Sequence, residues 1–225
     1  MSRFILVAMT WAVTVAGCNR FPDNGLQIQA MLPPDSSCQF TASSSNRLLS
    51  GRYDLTVPAE NDYIIAPLLV SYLFDNGLQF QAQPANLQVT NFEITLAFPD
   101  GTVLSFAEPL VNPYQVTTSL LLTASQARGG SSQGVAVGVG IPSSYKDALR
   151  AVMAESSTIL MNVRAIGTTY GGFTQKSAAF SWPILLCEGC DTQDVCTPDQ
   201  ADASCLPGQD VWPYCTTIVD PTATP

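Results

Sequence analysis

The sequence predicts an all-β fold: an antiparallel β-sandwich, Ig-like or similar, with one short helix and a disulfide-rich C-terminal tail. Three observations carry this. Apolar and polar residues alternate with period two in segment after segment. Asn-Gly, Asp-Gly and Gly-Gly pairs punctuate those segments, as the turns of hairpins require. Five of the seven cysteines fall within the last 39 residues. About ten short strands with frequent turns and a single helix suit two packed antiparallel sheets.

The elements follow in order. Asn19 to Ser37 carries Pro22, Pro33 and Pro34 and reads as a tether, with one short strand candidate at Leu26–Ala30. Asp23–Ala30 is echoed by Asp75–Ala82 at seven of eight positions, each copy an Asn-Gly turn followed by alternation. Two similar turn-and-strand pieces explain the echo better than a duplicated recognition edge. Arg52–Thr56 alternates. Tyr63–Phe74 is a long apolar run in which Pro67 signals an edge or a bulge. Leu87–Leu96 alternates, placing Leu87, Val89 and, after a slip, Phe92, Ile94 and Leu96 inward. Asp100-Gly101 turns the chain into Thr102–Phe106.

Gln115–Thr123 is the next strand, and Ala127–Gln133 a Gly/Ser loop. Val135, Val137, Val139 and Ile141 alternate with small residues that face a crowded or solvent side. The glycines of Gly138-Val139-Gly140 belong to this alternation and lack the Gly-Lys-Ser/Thr ending of a phosphate loop. One helix follows Pro142-Ser143-Ser144, with a serine hydroxyl as cap and Asp147 near its positive end. Tyr145, Ala148, Leu149, Val152 and Met153 form its apolar stripe, which covers one end of the sandwich. Thr158–Ile166 and Phe173–Leu186 are the last strands, and Pro183 is expected to end the ladder.

The N-terminus has its own pattern. Met1-Ser2-Arg3 is a short basic start, and Phe4 to Ala16 is a nearly unbroken apolar run, too short to span a bilayer. It ends in Val15-Ala16-Gly17-Cys18. This lipobox resembles that of bacterial lipoproteins. The resemblance implies cleavage before Cys18 and acylation of that cysteine, several acyl chains giving an anchor that one chain cannot. It also implies, since Asn19 rather than Asp follows the cysteine, an outer-membrane destination. The expected organisation is a signal peptide at 1–17, a lipidated cysteine and tether at 18–37, and a β-sandwich at 38–186. A disulfide-rich acidic segment at 187–215 and a flexible end at 216–225 complete it.

Removal of 17 residues leaves 208 of the 225, enough for one domain with its own core. The net charge goes from −9 to −10 with the loss of Arg3, which disfavours nucleic acid as a partner. The chain has no histidine. That removes the serine triad, the cysteine–histidine pair and most catalytic zinc sites. With Cys18 lipidated, Cys38, Cys187, Cys190, Cys196, Cys205 and Cys215 remain, and six cysteines can form three disulfides. Five tail cysteines cannot all pair among themselves, so one must bond Cys38. Fifteen connectivities satisfy that condition.

Chemistry-bearing candidates are few. Cys187-Glu188-Gly189-Cys190 has redox spacing, but it follows a strand, lies among acidic residues and lacks a thioredoxin-like unit, so a structural disulfide is the better reading. Zinc on Cys187, Cys190, Cys196 and Cys205 is disfavoured because an oxidising compartment consumes thiols. The tail also holds Glu188, Asp191, Asp194, Asp199, Asp202, Asp210 and Asp220, oxygen donors for calcium in principle, without the ordered spacing of a calcium loop. Asp54, Glu93 and Glu108 are the candidates for a glycosidase-type carboxylate pair. Ser143 with Lys146 is a weak dyad, Lys146 being expected on the exposed side of the helix.

Val163–Gly167 with Gly171-Gly172, Phe180–Ile184 running into Cys187–Cys190, and Leu206–Asp210 before Cys215 resemble the last third of cysteine-tailed outer-membrane lipoproteins of myxobacteria. That resemblance implies location and a sandwich-like fold and transfers no activity. The expectation is therefore an outer-membrane lipoprotein, non-enzymatic, with no cofactor and no metal. Its partners are the membrane, through its lipid, and an envelope protein or glycan. A carboxylate-based hydrolase of envelope glycans and a thiol-disulfide oxidoreductase are the alternatives.

Overall fold

The computed structural model describes residues 25–35, 37–56, 61–75, 85–190, 200–202, 205–206, 209–210 and 215–217. The segment read as a signal peptide, Cys18, Cys196 and most of the second copy of the echo lie outside the described residues. The strands are β1 (Leu26–Met31), β2 (Gly51–Asp54), β3 (Tyr63–Ile65), β4 (Pro67–Ser71), β5 (Leu87–Ala97), β6 (Tyr114–Leu122), β7 (Ser132–Val135) and β8 (Gly138–Ile141). A 3₁₀ turn at Ser143–Tyr145 leads into α1 (Lys146–Met153). Then come β9 (Thr158–Thr169), β10 (Thr174–Lys176), β11 (Phe180–Cys187), β12 (Gln200–Asp202) and β13 (Cys215–Thr217).

A larger sheet in the order β2-β11-β9-β5-β6, with β10 also alongside β9, faces a smaller sheet β1-β4-β7 and the pair β3-β8. β12 pairs with β13. One apolar core draws on both sides: Leu26 and Leu69 from the smaller sheet; Val89, Phe92, Ile94, Met161, Val163 and Trp182 from the larger. Burying each such side chain contributes about 1.5–3 kcal/mol. The fold is the all-β sandwich expected, with one short helix and disulfides towards the C-terminus. Among the described strands, pairing is antiparallel except between β2 and β11, which run parallel with Gly51 opposite Ile184.

Several local expectations change, each for a physical reason. β1 lies in the segment read as tether, yet it pairs with β4 and its Leu26 and Met31 are core residues. The sandwich thus begins ahead of Cys38. Tyr63–Phe74 is not one strand: β3 and β4 part at Ala66 and join different neighbours, Pro67 standing where a missing N–H is tolerated. Val135–Ile141 likewise divides into β7 and β8. Its small residues are on a crowded side, since a Cβ at Gly140 would come within 2.6 Å of Ile65 and one at Gly134 within 2.9 Å of Leu120. Phe173–Leu186 is interrupted where Ser177, buried, exchanges hydrogen bonds with the Ala165 backbone.

Thr102–Phe106 forms only an isolated bridge, Val103 to Ala97, although the Asp100-Gly101 turn is present with Gly101 at φ +90°. The slip expected in the next-to-central strand is a bulge between Val89 and Asn91, shared by both of its pairings. Pro183 does not end the ladder. β2 joins β11 only from Ile184 onward, so Pro183 has a partner on one side alone and the strand continues to Cys187. No serine hydroxyl caps the helix; the Asp62 carboxylate accepts from the Ser143 N–H at 2.7 Å instead.

Candidate functional site

The outer edge of β2 is where residues from the C-terminal part of the chain join the sandwich. Cys38 is bonded to Cys205, 167 residues later. A few residues further on, Gln209 bridges Tyr53 antiparallel, and the Asp210 N–H donates to the Arg52 carbonyl at 3.0 Å. The buried side chain of Gln209 accepts from the Ile64 N–H at 2.7 Å and donates to the Asp62 carbonyl at 3.2 Å. An exposed strand edge offers unpaired donors and acceptors to other chains. Here the tail occupies it.

Asp210 reaches inward from that edge. Its carboxylate accepts from the Arg52 N–H at 2.9 Å and from the Tyr63 hydroxyl at 2.5 Å. The Tyr63 oxygen in turn accepts from the Trp182 indole N–H at 3.0 Å. Tyr63 is on β3 and Trp182 on β11, so three segments remote in sequence close one buried polar chain. Glycine is required beside it: a Cβ on Gly51 would stand 2.1 Å from the Tyr63 hydroxyl. Burial lifts the Asp210 carboxyl from 3.8 to about 6, against the lowering pull of the Tyr63 hydroxyl, the Arg52 N–H and the Arg52 charge. Burial, reinforced by that carboxylate, raises the Tyr63 hydroxyl well above 10.

The other residues singled out from sequence are distributed as follows. Cys187 and Cys190 are bonded to each other, so their sulfurs are not thiolate ligands for the cluster they form with Asp54. Asp54 is buried and accepts from the N–H groups of Thr56 and Gly189 and from the Thr56 hydroxyl. It holds the Cys187–Cys190 turn against β2. Glu93 lies on β5, on the outer face. Two strands, β11 and β9, separate β2 from β5, about 14 Å at the usual spacing. A glycosidase pair needs about 5–9.5 Å. Glu108 is in the exposed loop between β5 and β6. The three carboxylates are not brought together.

Lys146 departs from expectation. It is buried, with its ammonium 5.5 Å from the centre of the Tyr53 ring, a cation–π contact that uses it in the core. Glu188 pairs with Arg150 at 3.2 Å, and Arg150 also donates to the Leu55 carbonyl at 2.5 Å. Of the tail carboxylates considered for calcium, Glu188 and Asp210 are thus in protein contacts. Asp191, Asp194, Asp199 and Asp220 lie outside the described residues.

The outward face of the larger sheet holds the groups that sequence reasoning did not single out. Arg164 on β9 and Lys176 on β10 both reach Glu93, at 3.5 and 2.8 Å. Lys176 is the main cause of a Glu93 carboxyl held below its usual value. Beside them Asn162 accepts from the Ser181 hydroxyl at 2.6 Å. Glu93, Thr95, Asn162, Arg164 and Ala179 line a shallow recess of about 220 Å³. Cross-strand neighbours set this grouping, Glu93 lying opposite Arg164 and Thr95 opposite Asn162. Strand parity was the signal that could have found it, because outward positions of paired strands fall in register. Among the described residues no helix is long and apolar enough to cross a membrane. No known protein family, curated protein or solved structure matches this chain.

Proposed function

We propose that this protein is an outer-membrane lipoprotein, anchored through acylated Cys18, with a non-enzymatic binding or structural role in the cell envelope. The observation that carries the reading is the sulfur inventory. Cys38–Cys205 and Cys187–Cys190 are disulfides. Of the other three cysteines, a bond between Cys196 and Cys215 would leave that of Val15-Ala16-Gly17-Cys18 for the lipid. A cysteine without a protein partner, behind a basic start and an apolar run, suits lipid attachment.

Support for a non-enzymatic role comes from what the reactive side chains do. Asp54, Asp210 and Lys146 all sit in contacts that hold the fold. The partner is an envelope protein or glycan, and the surface offered to it is the outer face around Glu93, Asn162 and Arg164. Its fixed amide, hydroxyl and charged groups suit hydrogen bonding to a polar polymer. The test is mass spectrometry of the membrane fraction. An N-terminal peptide that begins at Cys18 with acyl chains is expected; an intact Met1 peptide as the main form, or a Cys18 thiol, overturns the reading.

A further inference from the structure

β5 runs from Leu87 at one end of the sandwich to Ala97 at the other, about 35 Å. The two ends differ in chemistry. At the Leu87 end the chain enters the body, the Gly25 carbonyl accepting from the Tyr72 N–H at 2.9 Å. Phe74 bridges Ser125 at the same end. Asn86 takes the Ala124 N–H on its side chain and the Tyr170 N–H on its carbonyl. Tyr72, Phe74, Tyr170 and Phe173 are therefore gathered around the entry point, and they are 44, 42, 55 and 72 % exposed. Tyr170 and Phe173 belong to a tight hairpin tip, closed by a Thr169 N–H to Phe173 carbonyl bond of 2.9 Å with Gly172 at φ +85°. Polar residues are the usual occupants of such a tip. The opposite end carries exposed Asp100, Asp147, Glu155 and Glu188 with Arg150 among them, whereas Asp75, beside Phe74, is the acidic residue described at the entry end.

We infer that this aromatic end is a membrane-docking surface whose ligand is the headgroup–acyl boundary of the bilayer that holds Cys18. The inference rests on the lipid anchor proposed above. Six residues lie between Cys18 and Gly25, and the seven steps from one to the other span at most about 25 Å fully extended. An acylated Cys18 thus keeps this end close to the bilayer, with the other end a further 35 Å away. Aromatic side chains with an apolar body, two of them with a polar tip, are the groups that settle at that boundary. The acidic groups at the far end are kept from anionic headgroups by the same orientation.

The experiment uses the full chain, exported and processed in a bacterial host, and reconstituted in phosphatidylethanolamine/phosphatidylglycerol vesicles. A fraction of the lipid is brominated high on the acyl chain. Phe173→Trp reports the entry end and Val111→Trp the far end, each read above the wild-type tryptophan background. Quenching of Phe173→Trp several-fold greater than that of Val111→Trp is expected, with a blue shift on reconstitution. The mass of the N-terminal peptide is read in the same sample. Acylated Cys18 with equal quenching of the two reporters overturns the docking and leaves the anchor standing. An unacylated Cys18 overturns the anchor and the inference with it. A blue shift that follows protein concentration and is insensitive to brominated lipid assigns the surface to a second copy of the chain, and also overturns the docking.

Discussion

Tyr63 and Asp210 are 147 residues apart in the chain and share a 2.5 Å hydrogen bond. Through it the C-terminal tail is joined to Trp182 in the core. Tyr63→Phe removes the acceptor of the buried Trp182 indole and one of the donors to the Asp210 carboxylate, which keeps the Arg52 N–H. Leaving a buried polar group unpaired costs about 1–3 kcal/mol. A thermal midpoint lower by several degrees than wild type is expected in a differential scan. An unchanged midpoint would show that water replaces the hydroxyl without loss.

The same site makes stability depend on pH. Asp210 titrates near 6 when folded and near 3.8 when unfolded. Between these values the folded chain holds the proton that the unfolded chain has released, so stability falls as pH rises from about 4 to about 6. The loss is about 2–3 kcal/mol at neutral pH. Asp210→Asn keeps an acceptor for Tyr63 and Arg52 and removes the charge. Urea unfolding of this variant at pH 5 and pH 8 is expected to lack that site's decline, and at pH 8 the variant should equal or exceed wild type.

The two disulfides differ in thermodynamic weight. By loop-closure entropy, a bond spanning 167 residues stabilises by about 5 kcal/mol, whereas one spanning 3 contributes about 1.6 kcal/mol. Cys38→Ser with Cys205→Ser should therefore lower the denaturant midpoint far more than Cys187→Ser with Cys190→Ser. Equal losses in the two double variants would contradict an entropic origin.

Cys196 and Cys215 are expected to be bonded to each other. Nonreducing peptide mapping checks this directly, and a Cys18–Cys196 or Cys18–Cys215 peptide would remove both that pairing and the lipid attachment.

Strand positions with strong alternation were legible in the sequence. Leu87, Val89, Phe92, Ile94 and Leu96 are all buried, and even the slip between Val89 and Asn91 is present. Where strands change sheet the sequence was silent. Tyr63–Ser71 reads as one apolar run because both halves are buried; only pairing partners distinguish β3 from β4. Parity of the cysteines required a bond from Cys38 to the tail, but the choice of Cys205 depends on where Gln209 and Asp210 dock. Asp210 itself looked like one more solvated acid. Its burial is set by contacts more than a hundred residues distant, which no local pattern encodes.

The parallel pairing of β2 with β11 has a consequence for how the chain is made. Gly51 leaves the ribosome 133 residues ahead of its partner Ile184, and the outer edge of β2 is covered only when Gln209 and Asp210 arrive. During that interval β2 presents an open edge, the surface on which unfinished chains recruit one another. A copy that stops short of residue 209 keeps that edge permanently. Closure of β2 therefore waits on residues 209 and 210, and a chain cut before them lacks that cover.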